Sequence, residues 1–377
     1  MTIDLLRRRS LLIGIFGIVA CLAGLLMNGQ QFYRSYLIAY LFWLGIALGC
    51  LPLLMIHHLA GGLWGFAIRR ILESGTRTLL LMGLMFVPIL AGMHHLYEWT
   101  HSEVVAADQA LSHKSAYLNV PFFVVRAIVY FGAWLTLSHF LNAWSEAQDR
   151  TGDPALGRRF QLLSAVGILV YSLTLTFASI DWAMSIEPHW FSTIYGMLFI
   201  AGQVLSTLAF VIPTTAFIGK DLEFCGKDVL HDLGNLTLAF VMLWAYLSFS
   251  QFLIIWAGNL PEEIPWYLHR GRNGWQWIAA LLALWGFAIP FLLLLARGNK
   301  RKREVLTGIA IFILVMRIVD MVWLIAPAFR PAFSVHWLDV ACLAGVGGIW
   351  LSAFFTQLPK RSLLPLRDPN FRIERAA

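Results

Sequence analysis

Two long apolar runs separated by a polar segment decide the fold. The runs are RFQLLSAVGILVYSLTLTFASID (residues 159–181) and FSTIYGMLFIAGQVLSTLAFVIPTTAFIG (residues 191–219). Each exceeds the ~20 mostly apolar residues with which a helix crosses about 30 Å of hydrocarbon. The segment between them, DWAMSIEPHWFSTIYG (residues 181–196), contains an acid, an imidazole and hydroxyl groups. Polar chemistry is therefore expected at the edge of a membrane.

The composition of the whole chain agrees with a membrane protein. Hydrophobic residues occupy 59% of the 377 positions, only 13% are charged, and mean hydropathy is +0.70. Soluble domains carry about 25% charged residues. The apolar runs also lack the alternation that is typical of barrel strands. We expect an all-α integral membrane protein with about ten transmembrane helices in one polytopic domain, residues 1–377.

Apolar runs between charged residues, proline and glycine predict the ten spans. A basic cytoplasmic tail, residues 358–377, is expected after the last span. The spans lie near residues 10–28, 35–60, 77–97, 119–144, 159–181, 191–219, 231–257, 275–297, 304–327 and 335–357.

Loop charge predicts the orientation, because Lys and Arg in short loops stay on the cytoplasmic side. With both termini cytoplasmic, 21 of the 28 basic residues face the cytoplasm. These are Arg7, Arg8, Arg9, Arg69, Arg70, Arg77, Arg150, Arg158, Arg159, Lys220, Lys227, Arg297, Lys300, Arg301, Lys302, Arg303, Lys360, Arg361, Arg367, Arg372 and Arg375. Five lie on the other side: Arg34, Lys114, Arg270, Arg272 and Arg330. The pattern predicts a multi-pass membrane protein with both termini on the cytoplasmic side.

Charge and cysteine patterns argue against several classes of ligand. The net charge of +7 is explained by basic residues that border anionic lipid headgroups, so nucleic-acid binding is not expected. The four cysteines show no C-x-x-C spacing, which argues against an iron–sulfur cluster or covalent haem in this chain. They are Cys21, Cys50, Cys225 and Cys342.

Ionisable residues of three consecutive spans should reach a similar depth near the outer side. His94 and His95 close the third predicted span, Arg126 lies early in the fourth, and Asp181 closes the fifth. One interpretation is a pocket that binds a quinone headgroup or passes protons, in which Asp181→Asn slows turnover but spares assembly. The alternative is that Arg126 pairs with Asp181 to hold two helices together, while the histidines lie at the interface.

A second charged pair is expected in the middle of the membrane. Arg317 and Asp320 are spaced i, i+3 in the ninth predicted span, which places them on one helical face. They form either a stage of a proton relay or an ion pair that joins helices.

Hydroxyl groups and histidines suggest the remainder of a proton path. Ser172, Thr176 and Ser179 form a stripe that ends beside Asp181, although such hydroxyls also bond back to their own helix. On the inner side, His139 approaches the histidine pair at 57–58 as a possible entry. Haem ligation by these histidines is a weaker alternative, because the repeated pairs of a di-haem bundle are missing.

The segment 181–196 itself is expected to lie along the membrane surface. Trp182 and Trp190 are interfacial anchors by type, and Ser192 with the following threonine can cap the sixth helix. Glu187 and His189 are candidates for proton exchange with the outer compartment.

The sequence SIDWAMSIEPHWFSTIYGMLFIAGQ (residues 179–203) resembles the signature of the smaller NrfD/PsrC-like membrane subunit of bacterial alternative complex III, a respiratory quinol:cytochrome c oxidoreductase. Ten spans, the chain length and cytoplasmic termini agree with that family. The resemblance implies two four-helix bundles plus two further helices. It also implies a role in proton translocation, and the family's functional residues would correspond here to Asp181, Glu187 and His189.

The resemblance also implies partners and cofactors. A larger NrfD-like paralogous subunit, thought to hold the menaquinol site, an iron–sulfur subunit and cytochrome c subunits would surround the chain, and a terminal oxidase could join them. Haem c and iron–sulfur clusters would belong to those partners, while this chain would bind no cofactor except possible menaquinone. No catalysis is expected from the isolated chain. A secondary transporter and a purely structural scaffold subunit are the competing interpretations.

Overall fold

Ten helices that are long and apolar enough to cross a membrane occur within residues 3–218 and 226–371, the part of the chain that the computed structural model describes. No β-strand occurs in these ranges, so the chain is an all-α integral membrane protein, as the sequence predicts. The helices are α1 (Ile3–Met27), α2 (Gly29–Ala60), α3 (Leu63–Ala91), α4 (Val120–Thr151), α5 (Ala155–Ile186), α6 (Tyr195–Ile218), α7 (Lys227–Gly258), α8 (Trp275–Leu295), α9 (Arg303–Ala328) and α10 (Trp337–Lys360).

Helices α2 and α6 lie at the centre of the array and contact each other, and each belongs to one four-helix bundle. Helix α2 packs against α3, α5, α6 and α10, and α6 packs against α2, α5, α7 and α9. These two helices are apolar around their whole circumference, so they can be buried on every side, whereas α7 and α8 expose most of their surface. Helices α2–α5 make the first bundle, α6–α9 make the second, and α1 pairs with α10.

Small residues allow α1 and α10 to approach closely. A Cβ atom at Gly17 would overlap the backbone of Gly345, so neither helix could carry a larger residue at this crossing without moving apart. One turn further along α1, the sulfur atoms of Cys21 and Cys342 lie 3.4 Å apart. The scattered cysteine positions in the sequence gave no sign of this contact.

Helix α3 begins at Leu63, fourteen residues before the predicted start of its span at residue 77. Hydropathy alone gives no sign of these earlier turns, because Arg69 and Arg70 look like a break in the apolar run. In the folded chain both guanidinium groups are buried and pair with Glu73 from the next turn, so the helix continues through them.

The predicted basic tail folds back onto the first bundle as far as it is described. Asp368 lies 2.6 Å from Arg69, and the buried ring of Phe371 packs against Phe66. Residues 372–377, with Arg372 and Arg375, lie outside the described residues, as do Lys220 and Cys225.

The helical array has two faces. The described chain ends lie on one of them, here named the terminus face, with the short loops 61–62, 152–154 and 296–302. The opposite face, named the long-loop face, carries residues 92–119, 187–194, 259–274 and 329–336. That the terminus face is cytoplasmic remains a prediction from loop charge.

Candidate functional site

Arg126 and Asp181 form a fully satisfied pair between α4 and α5. The guanidinium Nε and Nη2 donate to the two carboxylate oxygens over 2.8 and 3.0 Å, and the Tyr130 hydroxyl donates to the same carboxylate over 2.8 Å. Arg126 Nη1 donates to the Tyr117 carbonyl, and the guanidinium lies 3.8 Å from the Tyr117 ring centre. Asp181 has no solvent exposure. This arrangement, named the outer clamp, holds two helices together.

The structure does not bring the two neighbouring histidines to the outer clamp. His94 and His95 are exposed, and their rings pair instead with His101 and Tyr33. Helix α3 ends at Ala91. Beyond the next turn Tyr97 points inward, and its hydroxyl donates to the Trp182 carbonyl over 3.0 Å. Burial raises the pKa of Tyr97, so this phenol stays a donor.

The segment 181–196 packs into the protein. The expectation that it lies along the membrane surface, anchored by Trp182 and Trp190, was wrong. Trp182 and Trp190 are only 2% and 5% exposed, and Trp190 stacks on Trp266 at 4.7 Å between ring centres. The Ser192 hydroxyl donates to the Gln251 side chain over 2.9 Å, which ties the segment to α7. Tertiary contacts with the loop after α7 therefore replace contacts with lipid headgroups.

Glu187 and His189 diverge within this segment. The Glu187 carboxylate lies 2.9 Å from the Arg270 guanidinium, which is 1% exposed and stacked on Trp266. His189 is exposed and lies 3.1 Å from Asp108 in the loop before α4. Of the two positions, only Glu187 pairs with a buried side chain, that of Arg270 in the loop after α7.

A chain of polar side chains crosses the deep interior from α5 to α9. The Tyr171 hydroxyl donates to Gln203 over 3.1 Å, and Arg317 Nε donates to Ser206 over 3.3 Å. Arg317 Nη1 lies 2.8 Å from Asp320 Oδ2, although the contact lacks hydrogen-bond geometry. All five side chains are buried, and we name them the central polar cluster. Its charged pair is less well satisfied than the outer clamp.

Gln203 and Arg317 border a small gap that also touches Gly202 and Gly45. The gap has a volume of about 10 Å³, close to what one water molecule needs. A Cβ atom at Gly202 would overlap Arg317 Nη2, so a larger residue there would force the guanidinium to move.

Replacing Gly202 with valine should displace Arg317 and lower the stability of the chain by roughly 1–3 kcal/mol, the usual cost of overpacking a core. Thermal unfolding in detergent measures the effect. Gly132→Val is the matched control, because a Cβ atom there meets nothing within 4 Å. Equal melting temperatures for the two variants would contradict the assigned packing.

The predicted hydroxyl stripe of α5 does not form a continuous chain. Thr176 donates to the Ser172 carbonyl and Ser179 to the Thr176 carbonyl, each over 2.8 Å. The hydroxyl groups thus bond within their own helix, the alternative that the sequence left open.

The histidines near the terminus face are also separated. His139 is exposed on α4, with its ring next to Phe140, whereas His57 is buried against Phe66. His57 and His58 line a polar cavity of about 270 Å³, and the His58 ring stacks on Phe160 at 4.3 Å. His139 is not among the residues that line this cavity.

Sequence reasoning missed a large, mostly apolar cavity of about 690 Å³ between α7, α8 and α9. Its polar lining includes Gln251, Tyr267, Arg270 and Asp320. Part of its wall is a π-helical stretch of α8, Leu282–Ala288, and such stretches are frequent at functional sites. The acid at 320 belongs both to this cavity and to the central polar cluster.

Sequence reasoning also missed a charge network at the terminus face. The Glu73 carboxylate lies 3.0 Å from Arg69 and 2.7 Å from Arg70, and it accepts a hydrogen bond from Ser145. Arg361 from the tail approaches it to 3.5 Å. The i, i+3 and i, i+4 spacings around Glu73 were the available signal.

Fold and sites together define a multi-pass α-helical membrane protein that keeps ion pairs and a polar chain in its apolar interior. No family model matches the chain, and no curated protein sequence matches it.

Proposed function

We propose that the chain is a membrane-integral subunit of a respiratory quinol-oxidising complex, of the alternative complex III type, and contributes a proton-conducting path. The central polar cluster is the observation that carries this proposal. Buried charges in membrane helices are costly and are often part of ion or proton pathways. In this cluster Arg317 is hydrogen bonded to Ser206 of α6, and a water-sized gap separates it from Gln203, which accepts a hydrogen bond from Tyr171 of α5.

The cluster offers a sequence of groups that can exchange protons. Tyr171 and Gln203 are directly hydrogen bonded, and the water-sized gap beside Gln203 leads to Arg317. Ser206 and Asp320 then flank the guanidinium on either side. Asp320 is the titrating member, because an arginine keeps its proton.

A route from Tyr171 toward the terminus face follows the buried side of α5. Ser164 is fully buried, has no hydrogen-bond partner among residues 3–218 and 226–371, and lies two turns away, about 10 Å by helical rise. One turn further, Phe160 lines the cavity of His57 and His58. If the terminus face is cytoplasmic, as loop charge predicts, this cavity is the proton entrance.

The resemblance of residues 179–203 supports membership of the complex, and the ten-helix arrangement with two four-helix groups agrees with it. The larger paralogous subunit, the iron–sulfur subunit and the cytochrome c subunits would supply the redox centres. A scaffold subunit is the second candidate, favoured by the complete pairing in the outer clamp.

Purification of the tagged chain from its native membrane in mild detergent tests membership. We expect co-purifying subunits, a reduced-minus-oxidised haem c spectrum and quinol oxidation by the preparation. A chain that purifies alone and accumulates a solute in vesicles would contradict the proposal and favour a transporter.

A further inference from the structure

We propose that Cys21 of α1 and Cys342 of α10 form a reversible disulfide bond that fastens the first helix to the last. Their sulfur atoms lie 3.4 Å apart, and both side chains are buried, with exposed fractions of 3% and 0%. An S–S bond is about 2 Å long, so the two sulfur atoms need to approach by only about 1.4 Å. The proposal goes beyond the proposed function and does not depend on it.

Close packing fixes the register of α1 and α10 on both sides of the thiol pair. One turn toward the terminus face, a Cβ atom at Gly17 would overlap the backbone of Gly345. One turn toward the long-loop face, a Cβ atom at Gly24 would overlap the side chain of Leu338. Helices that approach this closely bring opposed residues into the range of Cα separations that a disulfide spans. The two thiols therefore stay opposite each other.

The pair lies in the half of the two helices that is nearer the long-loop face. By helical rise, Cys21 and Cys342 lie about 7–9 Å from the ends of α1 and α10 at that face, Met27 and Trp337. If the long-loop face is the non-cytoplasmic side, as loop charge predicts, the bond lies away from the thiol reductants of the cytoplasm. Disulfides persist on that side of a membrane.

Formation of the bond removes two protons and two electrons from the thiol pair. The oxidant that we assign is a small, uncharged peroxide, which can enter an apolar region. It converts one thiol, that of the slightly more exposed Cys21, to a sulfenic acid and releases water. The sulfur of Cys342 then attacks the sulfenic sulfur, the S–S bond forms, and the oxygen leaves as a second water. A dithiol reductant reverses the reaction by thiol–disulfide exchange.

A covalent bond at this position would matter because α1 is a peripheral helix. It packs mainly on α10, with a smaller contact to α2, and most of its remaining surface is exposed. The bond would also join residues near the two ends of the chain, and a disulfide that closes a long loop restricts the unfolded state strongly. Oxidation should therefore hold α1 in place and stabilise the fold.

Peptide mapping of the purified full-length chain tests the proposal. The chain in detergent is treated with hydrogen peroxide, remaining thiols are blocked with N-ethylmaleimide, and the digest is analysed by mass spectrometry without reduction. We expect a linked peptide pair that contains Cys21 and Cys342 and disappears after dithiothreitol. The melting temperature should rise by roughly 5 °C on oxidation and return on reduction.

Cys342→Ser and Cys21→Ser should each abolish the linked pair and the rise in melting temperature. Cys50→Ser is the matched control, because the thiol of Cys50 is also buried but donates to the Ile46 carbonyl of its own helix over 3.3 Å. This variant should keep both effects.

Two results would overturn the proposal. The first is that both cysteines still react with N-ethylmaleimide after the oxidised chain is denatured, although glutathione in the same sample has been oxidised. The contact would then be only a hydrogen bond between two thiols. The second is a linked pair that leaves the melting temperature unchanged, because the bond would then not fasten α1. The peptide map of the unsubstituted chain decides the first point even if a serine variant fails to fold.

Discussion

Replacing Asp181 with asparagine is expected to destabilise the folded chain by about 3–5 kcal/mol, because it leaves the Arg126 guanidinium buried without a counter-charge. Most of the variant should be missing from the membrane fraction or should elute as aggregate. Fluorescence-detected size-exclusion chromatography with a thermal ramp measures this. The expectation differs from the sequence-based one, in which Asp181→Asn slows turnover but spares assembly.

Two variants separate the charge effect from general disturbance of the outer clamp. Tyr130→Phe removes one hydrogen bond to the same carboxylate and should cost about 1 kcal/mol. The double variant with Arg126→Met and Asp181→Leu removes both charges and should recover much of the lost stability. If Asp181→Asn assembles normally but releases fewer protons, the outer clamp is not needed for stability. Asp181 would then act as a proton-transfer group, as the sequence-based interpretation has it.

Replacing Glu73 with glutamine is the second substitution with a large expected effect. Its carboxylate is 3% exposed and lies between Arg69 and Arg70, with Arg361 from the tail nearby. The neutral amide would remove the carboxylate that these cations share, leaving Arg69 with Asp368 and Arg70 with Asp149, at a cost of roughly 3 kcal/mol. The same thermal ramp measures the loss, and limited proteolysis should show release of the tail.

Asp228→Asn is the matched control for Glu73→Gln. Asp228 also pairs with an arginine near the terminus face, Arg301, but its side chain is 86% exposed. Exposed ion pairs contribute little to stability, so its melting temperature should stay within a degree or two of the parent chain. If both variants lose the same amount of stability, the buried ion pairs around Glu73 contribute no more than the exposed pair of Asp228.

The sequence predicts those parts of the fold that depend on local hydropathy and spacing. Ten spans follow from apolar runs, and the pairing of Arg317 with Asp320 follows from their i, i+3 spacing. The turns of α3 before residue 77 were not predicted, because local hydropathy cannot show that Arg69 finds a buried partner.

The parts of the sites that the sequence could not predict depend on long-range packing. Gln203 lies in an apolar run, and only the approach of α5 and α9 makes it a partner of Tyr171 and a neighbour of Arg317. The cavity beside Asp320 depends on a π-helical stretch of α8 and on the loop that contributes Tyr267. Neither leaves a periodic signal in the sequence.

Proton release by the reconstituted complex tests the proton path most directly. Tyr171→Phe removes the hydroxyl that bonds Gln203, and Tyr40→Phe is the matched control, because that buried hydroxyl donates to the Met82 carbonyl instead. A pH-sensitive dye reports protons per electron after a quinol pulse to complexes in liposomes. We expect Tyr171→Phe to lower this ratio at least twofold while Tyr40→Phe leaves it unchanged. An unchanged ratio in Tyr171→Phe, with the complex intact, would contradict conduction through the central polar cluster.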